Sequence, residues 1–172
     1  AALASGGKNL KRLLSDASVH GRYALEVMGA TLSYAAQLVG DAADSIDKID
    51  EAMRLGYNWK FGPFELMDQL GPDWVIAACE KLGLPIATIL RFAAGRTFYR
   101  VESGVRQALS LDGTYHDLKR PAGVVMLADI KLAAKPIIKN GSAALWDVGD
   151  GVACFEFTSK MNSIDSETFT LL

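Results

Sequence analysis

The chain has 172 residues, half of them hydrophobic and 22% charged. That suits one globular domain, or a domain plus a fragment, and excludes intrinsic disorder. Eighteen basic against twenty acidic residues leave a net charge of −2, which excludes a general phosphate-backbone binder, so no nucleic-acid partner is expected. With no run of eighteen apolar residues, no membrane span is expected, and the protein reads as cytoplasmic.

The chain opens at Ala1, and the small, polar Ala4 to Gly7 reads as linker or cut end rather than a signal peptide. Residues 1–15 are assigned to this linker, and the chain is expected to be a piece of a longer protein. A long helix follows, capped at Asp16 or Ser18, running to Leu38 or Val39, and stopped by Gly40. Val19, Tyr23, Val27, Thr31, Ala35 and Val39 recur every four residues, and Leu25, Met28, Leu32 and Ala36 widen the stripe, so the helix is expected to pack on two sides; Gly29 and Ala30 leave room for another helix. Asp44 and Ser45 cap a helix over Ile46 to Leu55, closed by Gly56. Pro63, Pro72 and Pro85 open three more, over Phe64–Leu70, Trp74–Leu82 and Ile86–Ala93. Five helices with short Gly/Pro joints make an all-α domain.

After Gly95 the pattern changes. Thr97 to Val101 is β-prone; Asp112-Gly113, Asn140-Gly141 and Asp150-Gly151 are turn signals; and Val152 to Phe157 alternates as a strand does. Lys119 to Gly123 reads as a loop and Val124 to Ala134 as a short helix.

Catalytic motifs are missing. The sequence holds no GxGxxG, Walker loop, HExxH or GxSxG. Cys79, Cys154, His20 and His116 show no ligand spacing, so no metal is expected, and both cysteines read as reduced thiols. Asp47, Asp50 and Glu51 share a helix with Ile46, Ile49 and Met53 on its inward face; the acids are expected to meet water or cap helix ends. Trp59, Phe61, Phe64 and Met67 cluster around a Gly-Pro joint, as core, subunit contact, or an apolar cleft for a ligand tail or partner.

One stretch goes further. Ile49-Asp50-Glu51-Ala52-Met53-Arg54-Leu55-Gly56, followed by Gly62-Pro63-Phe64-Glu65-Leu66-Met67-Asp68-Gln69-Leu70-Gly71, resembles the C-terminal domain of 3-hydroxyacyl-CoA dehydrogenases, over roughly residues 16–95. The residues of the motif read as structural: Gly56 ends a helix, Gly62-Pro63 starts the next, and Glu65 sits where the helix dipole favours an acid. The resemblance implies a mainly α fold, a helical domain like the C-terminal domain of 6-phosphogluconate dehydrogenase, with a small β-hairpin region on its C-terminal side. It implies a parent enzyme that oxidises a 3-hydroxyacyl-CoA with NAD, the NAD and the catalytic His–Glu pair being held by a Rossmann domain absent here. The helical domain of that family closes the acyl-CoA cleft and makes homodimer contacts. The one family catalytic position that would fall in this chain is an Asn near Arg22 to Ala24; the stretch reads His20-Gly21-Arg22-Tyr23-Ala24. That departure fits multifunctional members, whose helical domain is duplicated, with this chain as the second, supporting copy.

Val152-Ala153-Cys154-Phe155-Glu156-Phe157 and Lys160-Met161-Asn162-Ser163-Ile164 resemble the opening of an enoyl-CoA hydratase/isomerase (crotonase) domain. Residues 96–148 are then a β-containing connector and 149–172 a truncated crotonase start, poorly packed past Asn162. The parent implied is a multifunctional fatty acid β-oxidation enzyme, with no catalytic or NAD-binding residue in this fragment. Two other readings stay open: a freestanding helical interaction module, and part of a dehydrogenase for a short or aromatic-pathway acyl-CoA.

Overall fold

A computed structural model describes residues 9–118 and 120–172. Cα packing divides it into two units, one running to Arg100 and including Gln107–Asp117, the other comprising Val101–Arg106 and Leu118–Leu172.

The first unit is helical: α1 (Leu10–Leu14), α2 (Val19–Gln37), α3 (Ile46–Tyr57), α4 (Pro63–Leu70), α5 (Pro72–Leu82) and α6 (Thr88–Phe92). Helix α1 occupies part of the segment assigned to a linker. Asn9 caps it by accepting from the Arg12 amide, and Leu14 is buried. Residues 1–8 of that assignment lie outside the described residues. Ser18 caps α2 through the Gly21 amide at 3.2 Å, as its residue type predicts.

Of the wide stripe expected on α2, Leu25, Leu32, Ala35, Ala36 and Val39 are buried, and its N-terminal line is not. Gly21, Leu25, Gly29, Leu32 and Ala36 point inward, while Val19, Tyr23 and Val27 are 68%, 69% and 50% exposed. The small residues decide this. A Cβ on Gly29 would lie 2.7 Å from Leu82 Cδ1, so α5 packs closer than a valine stripe would permit. Helix α3 ends at Asn58, in the left-handed region at φ 55°, two residues beyond the expected Gly56. Pro63 and Pro72 stand at the first positions of α4 and α5 as expected, whereas Pro85 precedes α6, which starts at Thr88. The core is built from Leu32, Ile46, Phe64, Met67, Leu70 and Phe98, with Phe64 and Phe98 edge-to-face at 5.1 Å.

β1 (Tyr99–Glu102), β2 (Val105–Leu109) and β3 (Tyr115–Asp117) form a three-stranded sheet in that order, β2 and β3 antiparallel with Ala108 opposite His116. Asp112-Gly113 makes the turn between them: Asp112 Oδ1 accepts from the Thr114 amide at 2.8 Å, and Gly113 takes φ +77°.

In the second unit, α7 (Leu127–Ala133) precedes an antiparallel sheet of β4 (Ile138–Lys139), β5 (Ala143–Gly149) and β6 (Val152–Phe157), followed by α8 (Ser166–Leu171). Asn140-Gly141 and Asp150-Gly151 form its two turns. Of the expected loop Lys119 to Gly123, Lys119 lies outside the described residues and the rest forms no helix or strand. The tail past Asn162 buries little, with Ile164, Phe169 and Leu172 exposed, but hydrogen bonds tie it down. Asp165 accepts from Ser142 Oγ at 2.5 Å and from the Thr168 amide at 2.9 Å, and Thr168 is fully buried. Trp146 donates its indole N–H to Glu156 at 2.9 Å, and Lys131 from α7 pairs with the same carboxylate.

The chain is therefore mainly α with two small antiparallel sheets. Among the described residues, no helix is long and apolar enough to cross a membrane.

Candidate functional site

The sequence places Trp59, Phe61, Phe64 and Met67 together; the structure separates them. Phe64 and Met67 fall on the inner face of α4 and are fully buried, so neither offers a cleft or interface surface. Helix periodicity explains this, since positions three apart share a face and that face meets Phe98. Trp59 and Phe61 lie on the loop between α3 and α4 and are half-buried. With Leu10, Met28 and Leu66 they line a shallow apolar depression of about 220 Å³, with Lys60 Nζ 5.2 Å from the Phe61 ring centre.

The motif around that loop is a lock made of carboxylates. Asp50 lies at i+4 from Ile46 and so shares its inward face; it is 0% exposed. Its Oδ1 accepts from the Phe64 amide at 2.8 Å, and its Oδ2 from the Glu65 amide at 3.1 Å and from Tyr99 Oη at 2.8 Å. Asp50 thus caps the first turn of α4 from another helix, in place of the side chain that Gly62 lacks. Gly62 is required there, because a Cβ would sit 2.3 Å from the Asp50 Cβ. Glu65 reaches back to the Gly62 amide at 3.0 Å and pairs with Arg54 at 2.6 Å. Asp68 accepts from the Phe98 and Tyr99 amides at 2.7 and 2.9 Å and so holds the start of β1.

Burial pushes the Asp50 carboxyl up to about 6, against the opposing pull of the Phe64 amide and the Tyr99 hydroxyl; the nearby Glu65 charge adds to the rise. Burial likewise raises the Cys79 thiol, and Cys79 and Cys154 are both free. Every bond of Asp50 is to a helix end or to the tyrosine that closes the corner, so the carboxylate holds structure and presents no reactive oxygen. The expectation that these acids cap helix ends holds for Asp50. Its full burial was not expected, since the inward face was assigned to Ile46, Ile49 and Met53, and the long-range bond to Tyr99 carries no local signal.

Arg22 and Tyr23, where the resemblance would put an Asn, are exposed. Among the described residues, no group of three His, Cys, Asp or Glu is placed to hold a metal. Among the described residues the sheets are antiparallel and no strand runs into a helix through a glycine turn, so these residues do not fit a dinucleotide.

Residues 23–94 match the family model described as 3-hydroxyacyl-CoA dehydrogenase, C-terminal domain. A Bacillus subtilis protein named probable 3-hydroxyacyl-CoA dehydrogenase is 33% identical over 167 residues, covering 95% of this chain and 21% of that protein. A Rickettsia felis protein carrying the name fatty acid oxidation complex trifunctional enzyme is 30% identical over the same length, 20% of its own; one of the same name from Rickettsia prowazekii is 26% identical. The chain thus spans about a fifth of the length of these curated relatives. No solved structure matches it. Residues 23–94, which carry the buried Asp50 cap and the Gly62-Pro63 corner, are the part of the chain that matches the C-terminal domain of 3-hydroxyacyl-CoA dehydrogenases.

Proposed function

We propose that this chain is a non-catalytic helical part of a multifunctional, cytoplasmic enzyme of fatty acid β-oxidation. The parent hydrates a 2-enoyl-CoA and oxidises the resulting 3-hydroxyacyl-CoA with NAD. In this reading the helical unit is the second, supporting copy of the domain, and residues 149–172 lead into a crotonase-like domain.

The observation that carries the reading is the length of the likeness. It runs over 167 residues, through both units, in proteins about five times as long. A helical module that had merely borrowed the fold would align over residues 23–94 alone. Two features of the chain agree with a supporting role. The acids of its motif are spent on helix caps and ion pairs. The outer line of α2, Val19, Tyr23 and Val27, is apolar and exposed, as a surface covered by other domains or by a second copy would be. The Trp59–Phe61 depression belongs to the same category of contact surface.

The test is an assay of the full-length product of the reading frame with 3-hydroxybutyryl-CoA and NAD. NADH should form, and the 172-residue chain alone should form none. A full-length product inactive on both 3-hydroxyacyl- and 2-enoyl-CoA would overturn the reading. Calorimetry of the isolated chain with acetoacetyl-CoA separates the copies: a supporting copy gives no heat, and saturable binding would mark a first copy that keeps part of the substrate cleft.

A further inference from the structure

A second depression lies away from the Trp59–Phe61 loop, between α1, α2 and α5. Its volume is about 270 Å³. Leu14, Leu25 and Ala78 form its buried floor and Trp74 its half-buried wall; Ser15, Ala77 and Lys81 stand at its mouth.

The cleft exists because α5 is small where it faces α1. Ala77 and Ala78 are adjacent alanines on a helix whose other inward positions, Val75 and Cys79, are filled and buried. The α1–α2 turn is drawn tight beside it: a Cβ on Gly21 would lie 2.2 Å from the Asp16 carbonyl oxygen, so that turn cannot swing in to fill the space.

Its lining carries one charged side chain, Lys81. Lys81 is exposed, makes no ion pair among the described residues, and sits seven residues after Trp74, on the same face of α5. Lys11 lies 6.0 Å from the Trp74 ring centre while donating to the Leu70 carbonyl at 2.7 Å. No carboxylate lines the cleft. An apolar slot with an aromatic wall and a free ammonium at its mouth selects a ligand with an apolar body and an anionic end. The depression is open along one side, so it offers an apolar wall to part of an unbranched chain.

We propose that the α1–α2–α5 cleft binds an unbranched aliphatic carboxylate, its tail against Leu14, Leu25, Ala78 and Trp74 and its head group at Lys81. The site is independent of the parent's reaction and does not require a catalytic residue in this chain.

The experiment is a titration of the isotope-labelled chain with decanoate below its micelle concentration, followed by amide and indole NMR shifts. Saturable shifts should concentrate on the Trp74 indole and on Leu14, Leu25 and Ala77 to Lys81. Ala77→Leu fills the slot from its exposed mouth with a good helix former and should abolish them. Lys81→Gln, at an exposed position, should weaken decanoate about fivefold and leave decanol unchanged. Shifts that never saturate or that centre elsewhere would overturn the site, as would undiminished binding to Ala77→Leu. Equal binding of decanol and decanoate to the unmodified chain would overturn the assignment of the head group to Lys81.

Discussion

Asp50 and Gly62 are in contact through atoms that one of them does not possess: a Cβ built on Gly62 would lie 2.3 Å from both Cβ and Cγ of Asp50, and 2.4 Å from its Cα. The α3–α4 corner closes only because residue 62 ends at its Cα. Gly62→Ala should therefore destabilise the helical unit by about 3 kcal/mol, the upper end of what overpacking costs, because backbone as well as side chain must move. Urea unfolding followed by circular dichroism measures it. A loss below about 1 kcal/mol would mean that the corner opens freely.

The pH dependence of the same corner has a definite sign. The folded-state value of Asp50, about 6, lies above its ordinary 3.8. The folded protein therefore holds this proton more tightly than the unfolded chain does. The stabilisation from protonation is complete below pH 3.8 and is lost as pH rises to about 6, a change of about 3 kcal/mol. Asp50→Asn cannot titrate. Between pH 4 and 7 the wild type should lose about 2 kcal/mol more stability than Asp50→Asn; parallel stability curves for the two proteins would refute this.

Asp68 gives a more local prediction. Asp68→Ala leaves the Phe98 and Tyr99 amides without their acceptor and should cost about 2 kcal/mol. Hydrogen exchange at those two amides should accelerate far more than at Leu70 or Val75, in the helices beside it. Uniform acceleration would instead indicate global loss.

Asp165 is the corresponding lock in the second unit. It accepts from Ser142 Oγ and from both the amide and the hydroxyl of Thr168. Asp165→Ala should release α8, seen as loss of amide protection over Ser166–Leu171 and exposure of Thr168, with β5 and β6 retained. A protected α8 in that variant would show that burial of Thr168 alone holds the tail.

Much of the fold was legible because glycine and proline mark its joints. Pro63 and Pro72 start helices where they stand, and the three Asx-Gly turns all form. What misled was apolar residue type without size. The stripe expected on α2 was too wide: Val19, Tyr23 and Val27 face outward, while Gly29 brings α5 against the face that carries Leu25, Leu32 and Ala36. The candidate site was half legible. Trp59 and Phe61 lie on a loop and keep surface, but Phe64 and Met67 are three residues apart in one helix and both turn inward. The partners of Asp50 and Asp68 were not legible, since hydrogen bonds spanning up to 49 residues leave no periodic trace.

The bonds of Asp50 to Tyr99 and of Asp68 to Phe98 and Tyr99 each reach from the first half of the helical unit to its last segment. A nick in the exposed joint between α5 and α6, around Leu84, would leave those attachments intact on both sides of the cut. Peptides ending and beginning there carry complementary halves of one core, with Phe64 on the first and Phe98 on the second. They should recombine on mixing, so the unit can be assembled from two separately made pieces. The same recombination should fail when the first piece carries Asp50→Ala.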